Sequence, residues 1–278
     1  MGSASGNPCV HLYFIEGRFS MNFAAVVLDL DGTLLNSDKQ ITDRNYKAIQ
    51  DCCEKGMKII FATARPPRAV RWLLPEELLR MGSTIFYNGA YIKCEQTGIH
   101  HHEPIEARIT AEVLEYGLSC DIDLKISLEV MDEWLSLEEY DYTACMKVQE
   151  NPTAKSLEEL KKLDATKILF YGKMDTSSFN EKLAAQLNVI VTDHGELVQI
   201  TSKMASKEKA VDLLCKSLNV PLENVIVFGD DRNDLGLFKV CGWPVAMGNA
   251  VEELKALAKE VTDTNDNDGV AKILENIL

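Results

Sequence analysis

The chain has 278 residues, of which 46% are hydrophobic, and carries a formal net charge of −14 at pH 7. This length allows one large domain or two modest ones with a real apolar core. The acidic balance argues against nucleic acid and against an anionic membrane surface as the main partner. No apolar run approaches the roughly 20 residues that a membrane span needs.

The eight cysteines form no C-x-x-C pair and show no Cys/His ligand spacing. We expect most of them to be buried free thiols, which favours a cytoplasmic location. The run His100–His102 follows Thr97 and Gly98 and has no fourth metal ligand in view. The sequence therefore favours a solvated turn there over a metal site.

Residues 1–20 differ in character from the rest of the chain. They begin with a small polar run, and Ile15–Arg18 (IEGR) matches a protease-cleavage tetrapeptide used in protein expression. Met21 then precedes the first apolar strand. We interpret residues 1–20 as an added leader, with a native disordered extension as the alternative, and exclude them from the fold prediction.

A strand–helix alternation organises residues 21–88. Short apolar strands alternate with helices, and each strand ends in polar residues. A βαβαβ order of this kind predicts a doubly wound parallel sheet. The predicted strands are 25–28, 57–62 and 83–87, and the predicted helices are 42–55 and 66–80.

From residue 89 to residue 200 the pattern changes to that of an α+β domain. A hairpin-like stretch leads into a helix, alternating strands and further helices. The predicted helices lie near 109–119, from 156 and near 178–187, and the predicted strands at 124–131, 133–137, 144–148, 167–171, 189–191 and 197–200.

The βα rhythm resumes in residues 201–278. Residues 21–88 and 201–278 are therefore predicted to form one Rossmann-like α/β core, with the α+β domain of residues 89–200 inserted between its halves. The predicted elements of the second half are strands at 225–228, 244–247 and 261–262, and helices at 207–218, from 233, from 251 and at 270–278.

Two carboxylates follow the first strand, at the sheet edge where open α/β folds bind ligands. Asp29 can act as a nucleophile on phosphorus and form an aspartyl-phosphate. Asp31 can protonate the leaving oxygen and then activate water. Gly32 is expected to turn the chain sharply just after them.

Other polar residues stand at element boundaries that the same sheet would bring together. Thr63 offers a hydroxyl to a phosphoryl group, and Lys207 offers a cation. Asp230 and Asp234 supply hard oxygen ligands for Mg²⁺. Asn233 can orient a phosphate. Each residue alone has an ordinary explanation as a turn, a helix cap or an exposed charge, and their joint order favours a site.

Four ordered motifs make residues 23–278 resemble the haloacid dehalogenase superfamily of phosphatases. The resemblance is closest to the Cof-type branch, which inserts a class II (subtype B) α/β cap between the second and third motifs. The motifs are Asp29–Thr33 (DLDGT), Ala62–Arg65 (ATAR), Lys207 and Gly229–Asp234 (GDDRND), and Asn88–Ala90 and Asp268–Ala271 also match.

The resemblance implies a role for each matching position. Asp29 is the nucleophile and a Mg²⁺ ligand, and Asp31 is the acid/base whose backbone carbonyl also binds the metal. Thr63 and Lys207 hold the phosphoryl group. Asp230 is a further Mg²⁺ ligand, with Asp234 behind it. The remaining positions, which line the phosphate or leaving-group side, are Ala64, Asn88, Gly89 and Asn233.

Two positions depart from the family pattern. Motif two commonly reads Thr-Gly-Arg, and Ala64 replaces the glycine here. Lys207 is often followed by glycine, and Glu208 follows it here. Neither change removes a catalytic group, although Glu208 adds negative charge that is expected to narrow substrate choice.

The resemblance implies a Mg²⁺-dependent phosphatase of small phosphorylated metabolites. Sugar phosphates are the favoured class, and pyridoxal phosphate or flavin mononucleotide are also considered. The alternatives are a phosphomutase or phosphotransferase and, less favoured, a non-catalytic regulatory protein. A dehalogenase is disfavoured because it has no use for the acid Asp31. The sequence leaves monomer and homodimer open.

The cap offers several candidate readers of the leaving group, each of which could equally be a solvated or packing residue. The loop at Asp193–Glu196 is a candidate because it follows a cap strand. The candidates are His100–His102, Glu129, Asp132, Glu133, Trp134, Lys147, Asp193 and His194.

Overall fold

The computed structural model contains two large sheets, one of eight strands and one of six. The predicted leader, residues 1–20, lies mostly outside the described residues, apart from two short strands that pair with each other. Lys147 also lies outside them. The residues that the structure describes are 13–15, 18–20, 23–121, 124–144, 148–172 and 181–278.

Strands and helices alternate along most of the chain. The strands are β1 Tyr13–Ile15, β2 Arg18–Ser20, β3 Ala25–Leu28, β4 Lys58–Ala62, β5 Gly82–Phe86, β6 Tyr91–Cys94, β7 Ile99–His102, β8 Lys125–Val130, β9 Glu133–Ser136, β10 Thr153–Ala154, β11 Lys167–Tyr171, β12 Leu187–Thr192, β13 Leu197–Ser202, β14 Val225–Gly229, β15 Trp243–Ala246 and β16 Glu260–Val261. The helices are α1 Asp43–Glu54, α2 Pro67–Leu73, α3 Glu76–Met81, α4 Ala107–Cys120, α5 Leu157–Leu160, α6 Glu181–Gln186, α7 Lys207–Ser217, α8 Leu235–Val240, α9 Glu252–Lys255 and α10 Gly269–Ile277.

The eight-stranded sheet is the core of the molecule, in the order β16-β15-β14-β3-β4-β5-β6-β7. It is parallel from β16 to β5. The central strand β3 is completely buried, as expected for an apolar strand covered on both faces. This arrangement confirms the predicted doubly wound α/β core, and it aligns the carboxyl ends of β3, β4, β5 and β14 at one edge.

The hairpin of β6 and β7 extends the core sheet, whereas the sequence placed residues after 88 in the inserted domain. β6 pairs antiparallel with β5, and β7 with β6. Ile92 and Cys94 are completely buried and join the core cluster. His100–His102 consequently lie on the edge strand β7, so the prediction of a solvated turn is wrong.

Two other predicted elements differ from the structure. The predicted helix 66–80 is divided into α2 and α3, because Pro75 lacks an amide hydrogen and pushes Leu74 into an extended conformation (φ −109°, ψ 137°). Instead of a strand beginning at residue 144, Tyr142–Ala144 forms a 3-10 turn. Residues 145–147 lie outside the described residues.

The six-stranded sheet, in the order β10-β9-β8-β11-β13-β12, forms the inserted α+β cap. Its strands pair antiparallel except for β10 with β9. Ile126, Leu128 and Phe170 pack from one face against apolar residues of α4 and α5. The alternate residues Ser127, Glu129 and Lys167 belong to the other face of the sheet.

No helix within the described residues has the length and apolar character that crossing a membrane requires. The free cysteines among the described residues are Cys52, Cys53, Cys94, Cys120, Cys215 and Cys241.

Candidate active site

The carboxyl ends of β3 and β14 bring two motif acids together. Asp29 follows β3, and Asp230 follows β14, its parallel neighbour. Gly32 lets the intervening loop pass close to Asp230, since its φ is +76° and a Cβ there would lie 2.2 Å from Asp230 Oδ2. The glycine of the first motif is therefore required by a close approach as well as by a turn.

A buried lysine joins two of the acids. Lys207 begins α7, whose N-cap is Ser206. Its Nζ donates to Asp29 Oδ1 at 2.5 Å and to Asp234 Oδ1 at 2.7 Å. The side chains of Lys207 and Asp234 have no solvent exposure, and that of Asp29 is 6% exposed. Charges buried this deeply are stable only when they are paired and hydrogen-bonded.

The electrostatics of this cluster show an excess of acid. Burial raises the pKa of Asp29 to about 8, against the attraction of Lys207, and the neighbouring Asp234 and Asp230 raise it further. Burial also raises the pKa of Asp230 to about 6, with Asp234 contributing. Burial opposes the charge on Lys207, but Asp234 and Asp29 outweigh it and raise the pKa of the lysine.

Three of the acids are arranged as metal ligands. Carboxylate oxygens of Asp29, Asp230 and Asp234 all lie within 4.8 Å of one another. Three carboxylates around one ammonium leave a local surplus of negative charge, and a divalent cation with oxygen ligands would balance it. Thr33 Oγ1 donates to Asp230 Oδ1 at 3.1 Å and orients that carboxylate. These residues therefore fit a hard divalent metal.

The side chain of Asp31 points to different partners. Arg65 Nε and Nη2 bind its two oxygens at 2.6 and 2.7 Å, and Lys39 Nζ adds a contact of 2.8 Å. Burial would raise the pKa of Asp31, but the hydrogen bonds and charges of Arg65 and Lys39 outweigh it and lower the pKa. Two acids two residues apart thus occupy opposite electrostatic environments.

The remaining motif residues are linked by hydrogen bonds around the turn after β5. Thr63 Oγ1 accepts from the amide of Arg65 at 3.2 Å. The amide of Asn88 donates to the Thr63 carbonyl at 2.9 Å, and Asn233 Nδ2 donates to Asn88 Oδ1 at 3.1 Å. Gly89 has a φ of +105°, and a Cβ there would lie 2.2 Å from the carbonyl oxygen of Ser206.

An open cavity of about 440 Å³ reaches some of these groups, whereas Thr63, Asn88, Gly89, Lys207 and Asp234 are not among the residues that line it. It contains both predicted catalytic acids, the substituted motif position Ala64 and Asn233. The residues that line it are Asp29, Asp31, Gly32, Lys39, Ala64, Asp230, Asp231 and Asn233.

Neither Lys39 nor the pairing of Arg65 with Asp31 was predicted from the sequence. Arg65 was visible as the last residue of motif two, whereas Lys39 stands in a polar loop with no signal of its own. Glu208 was expected to add charge near the site. Its carboxylate packs against Gly236 instead, where a Cβ would lie 2.3 Å from Glu208 Oε2, and it does not line the cavity.

Three of the cap candidates have partners on helix α2 of the core. Glu129 binds Arg68 of the core, and Asp132 binds Arg71. The Arg68 guanidinium lies over the ring of Trp134, with Arg68 Cζ 4.6 Å from the ring centroid. None of these three lines the cavity. The side chain of Asp193 lies outside the described residues.

Comparison with known proteins agrees with this geometry. Residues 26–274 match the family of haloacid dehalogenase-like hydrolases. The chain is 30% identical to phosphatase YwpJ of Bacillus subtilis, covering 91% of this chain and 99% of that protein. It is 26% identical to the 5-amino-6-(5-phospho-D-ribitylamino)uracil phosphatase YitU of Bacillus subtilis, covering 90% and 96%. The crystal structure of TM0651 from Thermotoga maritima superposes with a TM-score of 0.82 at 26% identity, covering 92% and 98%. The chain therefore belongs to the haloacid dehalogenase-like hydrolases and, like the two Bacillus subtilis relatives, is a phosphatase.

Proposed function

We propose that the protein is a Mg²⁺-dependent phosphatase that hydrolyses sugar phosphates or similar polyol phosphates through an aspartyl-phosphate on Asp29. The observation that carries the proposal is the shared cavity, in which Asp29, Asp31 and Asp230 all face one space. The free thiols and the family membership support a cytoplasmic enzyme.

In the first step, an oxygen of Asp29 attacks phosphorus while the bond to the leaving oxygen breaks. Lys207 binds Asp29 Oδ1 at 2.5 Å and so orients the carboxylate for attack. Asp31 gives a proton to the leaving oxygen, and this step requires that it be protonated against the contacts of Arg65 and Lys39, which favour its ionised form. The alcohol departs and the phosphoryl group stays on Asp29.

In the second step, Asp31 takes a proton from water as the water oxygen attacks phosphorus. The bond between phosphorus and Asp29 breaks, its electron pair returns to the carboxylate, and phosphate is released. Having given up its proton in the first step, Asp31 is ionised, and its contacts with Arg65 and Lys39, which lower its pKa, stabilise that form as the base of this step.

Asp29, Asp230 and the backbone carbonyl of Asp31 would hold the metal. Asp234 would lie behind them, since its oxygens accept from Lys207 Nζ and from the amides of Asp230 and Asp231. When bound, Mg²⁺ supplies positive charge against the phosphoryl oxygens and reduces the repulsion among the three carboxylates.

The size and polarity of the cavity support a polyol phosphate as substrate. A space of about 440 Å³ lies within the range of small-molecule sites, and most of its lining residues are charged or polar. The relative YitU acts, by its name, on a phosphorylated ribityl compound. A phosphorylated polyol chain presents the hydroxyl groups that such a lining can bind.

The test is phosphate release from a panel of hexose, pentose and polyol phosphates, with flavin mononucleotide, pyridoxal phosphate and an aryl phosphate included. We expect Mg²⁺-dependent release, with the best rates on polyol phosphates. Asp29→Asn should reduce the rate by a factor of at least about 10³. Full activity of Asp29→Asn would refute the nucleophile, and no release by the wild type with Mg²⁺ would refute the enzyme. Sugar isomerisation without phosphate release would indicate a mutase.

A further inference from the structure

Glu129 connects the cap to two separate elements of the core. Its Oε2 and Oε1 bind Arg68 Nη1 and Nη2 at 2.5 and 2.6 Å. Tyr87 Oη lies 3.3 Å from Glu129 Oε2 and donates to the carbonyl of Met131, in the same cap hairpin, at 2.8 Å. We call Arg68, Tyr87 and Glu129 the closure cluster.

The closure cluster is buried, although it lies between the cap and the core. The side chains of Arg68 and Glu129 are 15% and 4% exposed. A second ion pair in the same hairpin, Arg71 with Asp132, is 56% and 44% exposed. A fork-to-fork pair shielded from water holds its geometry far better than an exposed pair does.

Each core residue of the cluster belongs to a segment that also carries a site residue. Arg68 lies in the first turn of α2, three residues beyond Arg65, which binds Asp31. Tyr87 immediately precedes Asn88, which binds the Thr63 carbonyl and Asn233. Docking of Glu129 therefore constrains both segments at once.

The segment Tyr87–Gly89 is held in an unfavourable backbone conformation. Tyr87, Asn88 and Gly89 have φ values of 51°, 55° and 105°. A bulky residue such as tyrosine rarely adopts a positive φ, and such a conformation persists only where surrounding contacts impose it. On the cap side, the contacts that hold Tyr87 are those of its hydroxyl with Met131 and Glu129.

The same turn touches the helix that carries the lysine of the site. Gly89 packs so closely on Ser206 that a Cβ would reach its carbonyl oxygen at 2.2 Å. Ser206 caps α7, which starts at Lys207. The turn is thus in contact with the segments of Thr63, Asn233 and Lys207, which are among the groups assigned to the phosphate.

We propose that Glu129 is a positioning residue for phosphoryl transfer, which acts through Tyr87 and Arg68 to fix the phosphoryl-binding groups when the cap is docked. The inference rests on the proposed phosphatase function. Its consequence is that the cap contributes to catalysis on every phosphate ester, including one too small to touch the cap.

The experiment measures kcat and KM on p-nitrophenyl phosphate, with Mg²⁺, for three variants. Glu129→Gln keeps the shape and removes the charge that binds Arg68. Tyr87→Phe removes only the hydroxyl and guards against a folding defect in the first variant. Asp132→Asn breaks the exposed pair of the same hairpin and is the matched control.

We expect kcat to fall about tenfold in Glu129→Gln and about threefold in Tyr87→Phe, with KM changed less than kcat, because a small misplacement of binding groups slows the chemical step. Asp132→Asn should stay within about twofold of the wild type. The affinity for inorganic phosphate, measured by calorimetry, should weaken in the first two variants in the same order. This second measurement needs no turnover.

Three results would overturn the inference. One is a wild-type kcat in both Glu129→Gln and Tyr87→Phe, even with a lower melting temperature, which would make the cluster merely structural. Another is a rise in KM alone. The last is an equal loss in Asp132→Asn. A wild-type enzyme that binds phosphate but releases none from any ester would instead contradict the proposed function.

Discussion

The molecule contains two buried charge clusters whose balance is opposite. In the active site, Lys207 lies between Asp29 and Asp234, with Asp230 close by, so acids are in excess. At the cap–core boundary, Glu129 is paired with Arg68 and stands opposite Lys167 on the neighbouring strand, so cations are in excess.

The pKa shifts follow this imbalance. Burial and the neighbouring acids raise the pKa of Asp29 to about 8. Burial lowers the pKa of Lys167 to about 8, and Arg68 adds to the effect while Glu129 opposes it. The acidic excess lies in an open cavity, where a cation can enter. The cationic excess lies in a domain contact, where the lysine can release its proton. The sign of the local net charge therefore distinguishes the active site of this protein from the contact between its cap and its core.

We expect the largest effect from removing Lys207, the cation between the acids of the active site. Lys207→Met leaves two buried carboxylates without their partner, so we expect a loss of about 3–5 kcal/mol in the free energy of unfolding. Activity should fall about a thousandfold. Denaturant unfolding and phosphate release measure the two effects. Lys209→Met, on the exposed side of the same helix, should change neither, and a stable Lys207→Met would show that the acids are not charged together.

Metal binding tests whether the excess of acidic residues in the active site forms a binding site for a divalent cation. Adding Mg²⁺ to metal-depleted protein should stabilise it by about 2.7 kcal/mol at a hundred times the dissociation constant. Asp230→Asn should abolish most of this gain, and Glu129→Gln should retain it. Sodium chloride at matched ionic strength is the control. An equal gain from sodium chloride would mean that simple screening, and not binding, relieves the repulsion.

The site was largely predictable because the geometry of a parallel sheet determines where the residues after its strands lie. Short apolar strands were identified from their composition, and the carboxyl ends of parallel neighbours must lie at one edge. Asp29 and Asp230 therefore had to converge once β3 and β14 were neighbours. The start of the predicted helix at residue 42 was equally local, since the Thr42 side chain accepts from the amide of Asn45 and so caps the helix N-terminus.

The closure cluster was not predictable, although Glu129 was a candidate on other grounds. Arg68 lies on helix α2 of the core and Glu129 on strand β8 of the cap, 61 residues apart in sequence. No periodicity or spacing encodes which cap strand faces α2. The pairing of Lys39 with Asp31 likewise depends on a loop in which Lys39 has a φ of 62°. The hairpin of β6 and β7 was misplaced for a similar reason, because alternation predicts strands but not the sheet that they join.

The pH dependence of stability tests the cationic excess. Lys167 has a pKa of about 8 when folded and 10.5 as its ordinary value. Between these values the unfolded chain holds the proton of this lysine more tightly than the folded protein does, so Lys167 contributes a rise of stability with pH through this range. Below pH 8 both states carry the proton and the full cost is present. Lys167→Met should remove this slope and stabilise the protein at pH 7 by up to about 3 kcal/mol. Thermal unfolding from pH 7 to pH 10 measures it, and an unchanged slope would place the titration elsewhere.

The smallest effect is expected at the exposed pair of Arg71 and Asp132. Its two hydrogen bonds, at 2.6 and 3.2 Å, resemble those of Arg68 with Glu129 in pattern. Water screens the exposed charges, however, so Asp132→Asn should change the free energy of unfolding by no more than about 0.5 kcal/mol. Denaturant titrations of Asp132→Asn and Glu129→Gln side by side make the measurement. If the two variants lost equal stability, burial would not explain a difference in strength between the two ion pairs. The excess of positive charge around Glu129 would then have no measurable effect on stability.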